Sequence, residues 1–427
     1  MSGALTQDLA RICGAEHVRD GETYRIGGRI PETAVRPGSE EEVSRVLALA
    51  CASGAAVVPW GSGVQQTLVA PPIRYDIALD LRRLDRLIAY EPGDMTATVQ
   101  AGMRLDVLQH RLAVQGQFFP LDPPHAERAT VGGVVASQQS GPLRCQYGSA
   151  RDLVLGVRVA HADGTITNAG SRVVKNATAY DLTKLYVGSF GTLSVFLAVT
   201  LRLHPRPAAE RGFLVSGGRL DALHGFALQL LGSHLAPSRM ELLDVGAARG
   251  FPGDGPQLVV SFAGVAEAVT DQEGTLRRLA RESGVTVAEI EDADAFARVR
   301  DFPGLSNGRA ACWRGGVLPS DGAKALEAIR AAMATAVSVE GAATVSHGTL
   351  RGTCRAENPE ALVQALVEAR RVLEGLGGYL IASDVPAVTQ GRVNVWGTPP
   401  TEYELLRNLK QAFDPKGILN PGRLLNL

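Results

Sequence analysis

Two rhythms of apolar and polar positions divide this chain. Up to about residue 207, short apolar runs alternate with glycine-rich loops. Pro37-Gly38-Ser39 followed by three glutamates predicts a helix start, with Ser39 as its cap and acidic side chains in its first turn. Val43, Val46, Leu47, Leu49 and Ala50 then recur at helical spacing, and Gly54 closes the helix. Residues 55–58 read as a short buried strand that delivers the chain to Pro59-Trp60-Gly61-Ser62-Gly63, and 77–81 as the next strand. Further strands are predicted at 87–90, 96–101, 117–121, 153–161 and 193–203. A helix is predicted at 105–113, and a hairpin turn at Asp163-Gly164 leading into 165–167.

His204-Pro205-Arg206-Pro207 ends that first stretch and marks a domain boundary. From 210 to about 395, amphipathic segments (220–231, 270–283, 323–336, 359–375) alternate with short strands at 258–262 and 313–318. The tail predicts a helix at 403–413 followed by Asp414-Pro415-Lys416-Gly417-Ile418-Leu419-Asn420-Pro421-Gly422-Arg423. The expected organisation is therefore α+β, with one domain over 1–207, a second over 208–395 and a separate closing segment over 396–427.

Composition narrows the function. The chain has 427 residues, a formal net charge of −1 and no visible basic face, which disfavours nucleic acid as a partner. Its five cysteines (Cys13, Cys51, Cys145, Cys312, Cys354) are scattered and include no C-x-x-C pair. This argues for a reducing compartment and against an iron–sulfur cluster held by this chain. The eight histidines are equally dispersed, so no metal site is expected. The longest apolar stretch, 46–60, is broken by Ser53, Gly54 and Pro59 and is too short to span a bilayer. Asp8 and Arg11 precede any apolar run, so no signal peptide is expected.

Three segments carry candidate chemistry. In Pro59-Trp60-Gly61-Ser62-Gly63-Val64-Gln65, glycines allow close backbone approach, and successive N–H groups suit an anion such as a pyrophosphate. The loop is neither a G-x-G-x-x-G nor a Walker sequence, and a plain glycine turn between strands explains it as well. Ala129-Thr130-Val131-Gly132-Gly133, with Ser137 and Gly141 further on, offers small residues and backbone donors to a flat phosphorylated ligand. The alternative is a glycine-rich helix start packed tightly on a strand. In 173–199, Gly188, Ser189, Gly191 and Thr192 could let the backbone reach an adenine, with Lys175-Asn176 and Tyr180-Asp181 holding the loop. The alternative is a capped helix start with a buried tyrosine.

Taken in order, the glycine loop, DPPH…ATVGGVVASQQSGP, YGSARDLVLG and VVKNATAYDLTKLYVGSFGTLSVFLAVTLRLHPRP resemble the PCMH-type FAD-binding domain of the vanillyl-alcohol-oxidase superfamily. LKQAFDPKGILNPGRL resembles the closing segment of its glycolate oxidase and D-lactate dehydrogenase branch, the smaller FAD-binding subunit of glycolate oxidase above all. The resemblance implies a two-subdomain flavin domain, an α+β cap domain and a C-terminal segment that returns to the flavin. It also implies non-covalent FAD held by Pro59–Gln65, Pro123, Pro124, Ala129, Thr130, Gly132, Gly133, Ser137, Gly141, Tyr147, Gly148, Gly191, Val195, Asn420 and Arg423. The implied activity is oxidation of a 2-hydroxyacid, glycolate to glyoxylate. The implied partners are a longer flavin paralogue and an iron–sulfur subunit, in the cytoplasm or held through partners on the inner face of the membrane.

Two departures qualify that expectation. The branch's Gly-His-x-x-Asp-Gly-Asn-x-His motif is missing: beyond residue 234 the only histidine is His347. Trp60 stands where such loops carry glycine, and Gln65-Gln66 where they carry a small residue. A hydroxyacid oxidase needs a cation for the carboxylate and a base for the hydroxyl proton. Arg314 is the first candidate for the cation, ahead of Arg309, Arg351 and Arg392, and His347 is the candidate base. A non-catalytic subunit with a vestigial flavin pocket and a self-sufficient D-2-hydroxyacid dehydrogenase remain the alternatives.

Overall fold

The computed structural model describes residues 2–171, 181–292, 294–304, 310–389 and 391–426. The fold is α+β, as the pattern predicts. Two compact units emerge. One holds residues 1–140, 149–206 and 399–427, and the other holds 141–148 and 207–398.

Among the described residues, the first unit contains a two-stranded ribbon of Gln117–Phe118 with His204–Pro205 and two larger sheets. In the smaller one, Thr33–Val35, Ile77–Asp80 and Val57–Trp60 run parallel, with Val18–Arg19 antiparallel at one edge. The helix Glu40–Ser53 covers this sheet. Ser39 accepts the Glu42 N–H through its side chain, Gly54 is left-handed at the far end, and Val43, Val46, Leu47 and Ala50 are buried. The second sheet is antiparallel, in the order Leu87–Glu91, Thr96–Gln100, Val195–Arg202, Val154–Ala160, Ile166–Gly170. Its core joins Val99, Val157, Val159, Val199 and Leu201 to the helices Leu105–Ala113 and Val131–Ser137.

The C-terminal segment belongs to this unit. Leu419 forms a parallel bridge with Val57; Val57 N–H donates to the Ile418 carbonyl at 2.8 Å, and Asn420 N–H donates to the Val57 carbonyl at 2.8 Å. Two residues of the tail thus extend the small parallel sheet beside the strand that leads into the glycine loop.

The second unit is an eight-stranded antiparallel sheet with four long helices on one face and the short helix Ala295–Asp301 on the other. Leu223, Phe226 and Leu230 of Leu220–Leu231, Leu276 of Ala266–Ser283, Ile329 of Gly322–Ala332 and Leu366 and Leu373 of Pro359–Gly375 bury against Phe213, Met240, Leu258, Val260, Trp313 and Leu350. The apolar pattern shows only two of these strands. Ser338–Thr344 escapes it because its buried residues include Gly341, Ala342 and Ala343, and Thr349–Arg355 because Gly352 interrupts its inward Leu350 and Cys354. The reason is the Trp313 indole: a Cβ on Gly352 would stand 2.2 Å from its ring.

Candidate functional site

The loop after Val57–Trp60 is anchored at both ends by side chains. Trp60 is buried, and its Nε1–H donates to the Tyr75 hydroxyl at 2.5 Å, while its ring meets Tyr24 edge-on at 5.2 Å. Tyr75 donates to the Tyr24 carbonyl at 2.9 Å, and Tyr24 donates to the fully buried carboxylate of Asp80 at 2.7 Å, which Arg36 and Arg82 balance. The atypical tryptophan is thus the loop's anchor. Gln66 is a second one: its Nε2 donates to the Pro59 carbonyl at 3.0 Å.

Between these anchors, the main-chain N–H groups of Gly61, Ser62, Gly63, Val64 and Gln65 form no hydrogen bond to protein among the described residues. Five amides in succession, left open in a half-buried loop, form a concavity for an anion. Gly61 is required by close approach, because a Cβ there would stand 2.1 Å from Thr130 Oγ1. Gly63 is required twice, by φ of +84° and by the Trp60 ring 2.5 Å from where its Cβ would be.

These residues form one wall of a cleft that is open to solvent. Thr130, Gly132, Gly133 and Ser137 line it from the second segment, Gly191 from the third, and Asn420 and Arg423 from the tail. Gly191 has φ of +67° and lies against Pro59. The sequence singled out all of these.

The cleft also receives Gln66, Leu81, Ala101, Ala136, Phe190, Ser194 and Phe196, which the sequence reading did not name as ligands. Leu81 and Ala101 directly follow strands, and Ser194 directly precedes one. A position at the mouth of a sheet was the signal available for them. Pro123, Pro124, Ala129 and Val195 lie in the first unit but do not line the cleft; Ala129 and Val195 are core residues. Gly141, Tyr147 and Gly148 fall in the second unit. Lys175, Asn176, Tyr180 and Arg309 lie outside the described residues.

The second segment behaves differently from the first. The amides of Val131 and Gly132 donate to the carbonyls of Met103 (2.9 Å) and Ala101 (2.8 Å), and that of Gly133 to Thr130 Oγ1 (3.4 Å). They are engaged within the protein and are not donors to a phosphate. Gly132 is instead a packing glycine, since its Cβ would stand 2.7 Å from that of Ala101. Of the two readings of this segment, tight helix-on-strand packing describes its backbone.

Arg423 is the cation of the cleft. It is 1 % exposed, its Nη2 donates to the Gln66 carbonyl at 2.7 Å, and burial pulls its pKa down to about 10, which leaves it protonated at neutral pH. Asn420 has φ of +45° and donates through Nδ2 to the Phe190 carbonyl at 2.5 Å. Its Oδ1, Gln65 Nε2 and Ser194 Oγ are buried without a protein partner. Open amides, a buried cation and orphaned polar atoms around an elongated cleft fit FAD, whose diphosphate needs the first two and whose rings carry groups for the third.

In the second unit, Arg314 is half-buried on Ala311–Gly316, with its guanidinium 6.0 Å from the Trp396 ring; burial lowers its pKa. Arg351, on the neighbouring strand, is committed elsewhere. It donates to buried Glu241 at 2.7 Å and to the carbonyls of Val299 and Phe302. Arg392 forms an exposed pair with Glu360. His347 sits in a turn with Nδ1 2.7 Å from Ser346 Oγ. Thr349 pairs with Gly316 and Arg351 with Arg314, so Arg314 lies level with a position two strand residues in from the end of the strand that the His347 turn opens. Among the described residues, no group of three or more His, Cys, Asp or Glu could hold a metal ion.

Comparison with known proteins agrees with this geometry. Residues 31–170 match the FAD binding domain, and 397–424 match the C-terminal domain of the FAD linked oxidases. Glycolate oxidase subunit GlcD of Bacillus subtilis (strain 168) is 25% identical over 461 aligned residues, covering 98% of this chain and 96% of that one. Glycolate oxidase subunit GlcE of Escherichia coli (strain K12) is 39% identical over 133 residues, 31% of this chain and 38% of that one. The fold is that of p-cresol methylhydroxylase, whose substrate-bound crystal structure superposes with a TM-score of 0.78 at 16% identity, covering 99% of this chain and 96% of that one. An FAD binding domain over 31–170 and the C-terminal domain of the FAD linked oxidases over 397–424 make this chain similar to FAD-linked oxidoreductases in sequence and to p-cresol methylhydroxylase in fold.

Proposed function

We propose that this chain is the FAD-binding subunit of a 2-hydroxyacid oxidase, holding FAD non-covalently and taking part in the oxidation of glycolate to glyoxylate. The observation that carries it is the row of five open amides beside buried Arg423, a site shaped for a diphosphate. The hydroxyacid class is supported by the likeness to two glycolate oxidase subunits.

Bound FAD supplies a hydride acceptor. The chain's own residues supply the rest. The 61–65 amides and Arg423 hold the diphosphate, Trp60 and Gln66 keep that loop from collapsing, and Asn420 offers a carbonyl acceptor to the bound group. Arg314 is the carboxylate-binding cation of choice, because a half-buried guanidinium gains most from a carboxylate and Arg351 is already matched to Glu241. His347 is the base candidate, held at Nδ1 by Ser346.

Electrons must then leave the flavin. The five free cysteines include no cluster-binding group among the described residues, which supports work in a hetero-oligomer with a longer flavin paralogue and an iron–sulfur subunit. No described helix is long and apolar enough to cross a membrane; a cytoplasmic place, or a peripheral one through partners, completes the proposal. A second reading is a self-sufficient D-2-hydroxyacid dehydrogenase, favoured by alignment along nearly the whole of GlcD. Dye reduction with glycolate and D-lactate separates the two. The subunit reading expects acid-releasable FAD in the lone chain and turnover only in a co-purified complex. Turnover by the lone chain refutes it in favour of the second.

A further inference from the structure

Two adjacent glutamines at the end of the open loop have different tasks. Gln66 is spent on the protein: its Nε2 donates to the Pro59 carbonyl at 3.0 Å, and its main-chain amide donates to the Gly63 carbonyl at 3.1 Å. Gln65 lines the cleft, yet its Nε2 is buried and meets no protein acceptor. A carboxamide nitrogen carries two hydrogens and no acceptor capacity, so in that place it can only donate. Ser194 Oγ and Asn420 Oδ1, also orphaned in the cleft, are oxygens that can accept. Left unmet, a buried donor is a cost to the folded chain. Its position supplies the acceptor's chemistry. Gln65 is the last of the five residues whose main-chain amides are open, so its side chain starts from the end of the anion concavity. A ligand group that meets five amides in succession is one that only accepts, as phosphoryl oxygens do.

We infer that the Gln65 carboxamide is a sixth donor to the diphosphate of the cofactor, a ligand in its own right and not part of the loop's scaffold. The inference rests on the cleft being the FAD site. It makes opposite demands on folding and on binding. In the empty protein the Nε2 hydrogens are unsatisfied, so removing them costs the fold nothing. In the loaded protein they are met by a charged acceptor, so removing them weakens the complex. Gln66 shows the contrary behaviour expected of scaffold, because its acceptor is the chain itself.

Four full-length proteins stripped of flavin test this: the parent, Gln65→Met, Gln65→Glu and Gln66→Met. Each is unfolded in urea without ligand and titrated calorimetrically with FAD, ADP and riboflavin. Gln65→Met keeps the side chain's length and removes the donor. It is expected to unfold at the same urea concentration as the parent or a higher one, and to bind FAD and ADP about tenfold or more weakly. Riboflavin, which has no phosphate, should bind it as it binds the parent. Gln65→Glu keeps an acceptor, loses the donor and adds a charge of the ligand's own sign, so FAD and ADP should bind about a hundredfold or more weakly. Gln66→Met is expected to lose stability and affinity together. A Gln65→Met protein that unfolds earlier and binds FAD as the parent does overturns the inference, since the side chain then belongs to the scaffold. Gln65→Glu binding FAD as tightly as the parent overturns it too, because an acceptor then suffices there, as does a Gln65→Met loss that riboflavin shares equally. A parent that binds neither FAD nor ADP sinks the cofactor reading itself. A parent that binds both, with Gln65→Met indistinguishable from it, sinks this inference alone.

Discussion

Replacing Gly61 with alanine places a methyl group 2.1 Å from Thr130 Oγ1 and 3.0 Å from its Cγ2. Something must move. If the loop backs away, the five open amides lose their alignment; if Thr130 turns, the helix 131–137 loses its cap, since Oγ1 accepts the Gly133 amide. Loss of a cap costs about 1 kcal/mol, and overpacking a filled interior costs about 1–3 kcal/mol. Turning Thr130 is the cheaper response, so Gly61→Ala is expected to destabilise the flavin-free protein by about 1–2 kcal/mol and to weaken FAD binding as well. Thr130→Ala alone removes the cap, for about 1 kcal/mol. Once Oγ1 is gone, the Gly61→Ala methyl meets little resistance, so the double variant should cost less than the sum of the two by at least about 0.5 kcal/mol. Urea unfolding of the four flavin-free proteins gives the cycle, and flavin titration gives the affinities. Strict additivity, or a Gly61→Ala protein as stable as the parent, would mean that the 2.1 Å approach is not what reserves this position for glycine.

Three further outcomes are expected. Lys410→Met leaves the Asp414 carboxylate buried without its cation and should cost about 3–5 kcal/mol in denaturant unfolding, with FAD loss following. Burial raises the pKa of Asp244; between the ordinary aspartate value and the raised one the folded state binds the extra proton, so stability falls as pH rises through that window. Asp244→Asn keeps an acceptor for the Ala247 amide and should flatten that fall, leaving the variant at least as stable as the parent at neutral pH in pH-dependent urea unfolding. Arg314→Met should raise KM for a 2-hydroxyacid by roughly 10–150-fold, the worth of about 1.5–3 kcal/mol for a charged hydrogen bond, with stability little changed. Arg351→Met should instead strand Glu241 and appear as about 3–5 kcal/mol of lost stability.

What the sequence made legible was whatever repeats locally. The helices Leu105–Ala113, Leu220–Leu231, Pro359–Gly375 and Tyr403–Phe413 end where their periodic apolar positions and flanking residues predict. The strands of the second unit were mostly hidden. In Ser338–Thr344 and Thr349–Arg355 the facing positions Gly341 and Gly352 break the apolar pattern, and the fact that makes them right, the bulk of Trp313, lies across the sheet rather than along the chain. The tail's return to the first unit could be expected only from resemblance. No local property of Ile418-Leu419-Asn420 announces that Val57, more than 350 residues earlier, is its neighbour.

The same distinction runs through the candidate site. Gly61, Gly63 and Gly132 look alike in sequence, and each was open to two readings, close approach by a ligand or close approach by the protein itself. The structure separates them by what the neighbouring amides do. Around Gly132 the amides of residues 131–133 are all engaged, and the glycine is there so that a helix can rest on Ala101. Around Gly61 and Gly63 the glycines are also packed, against Thr130 and Trp60, yet the amides between them have no protein acceptor. Packing therefore explains the glycines in both segments and explains the open amides in neither. A half-buried loop that leaves five successive donors open while two large side chains, Trp60 and Gln66, hold it in place presents those donors to whatever occupies the cleft. Those open donors, rather than the presence of glycine, are what support the proposal that the first segment holds the cofactor, while the engaged amides of the second leave it a packing role.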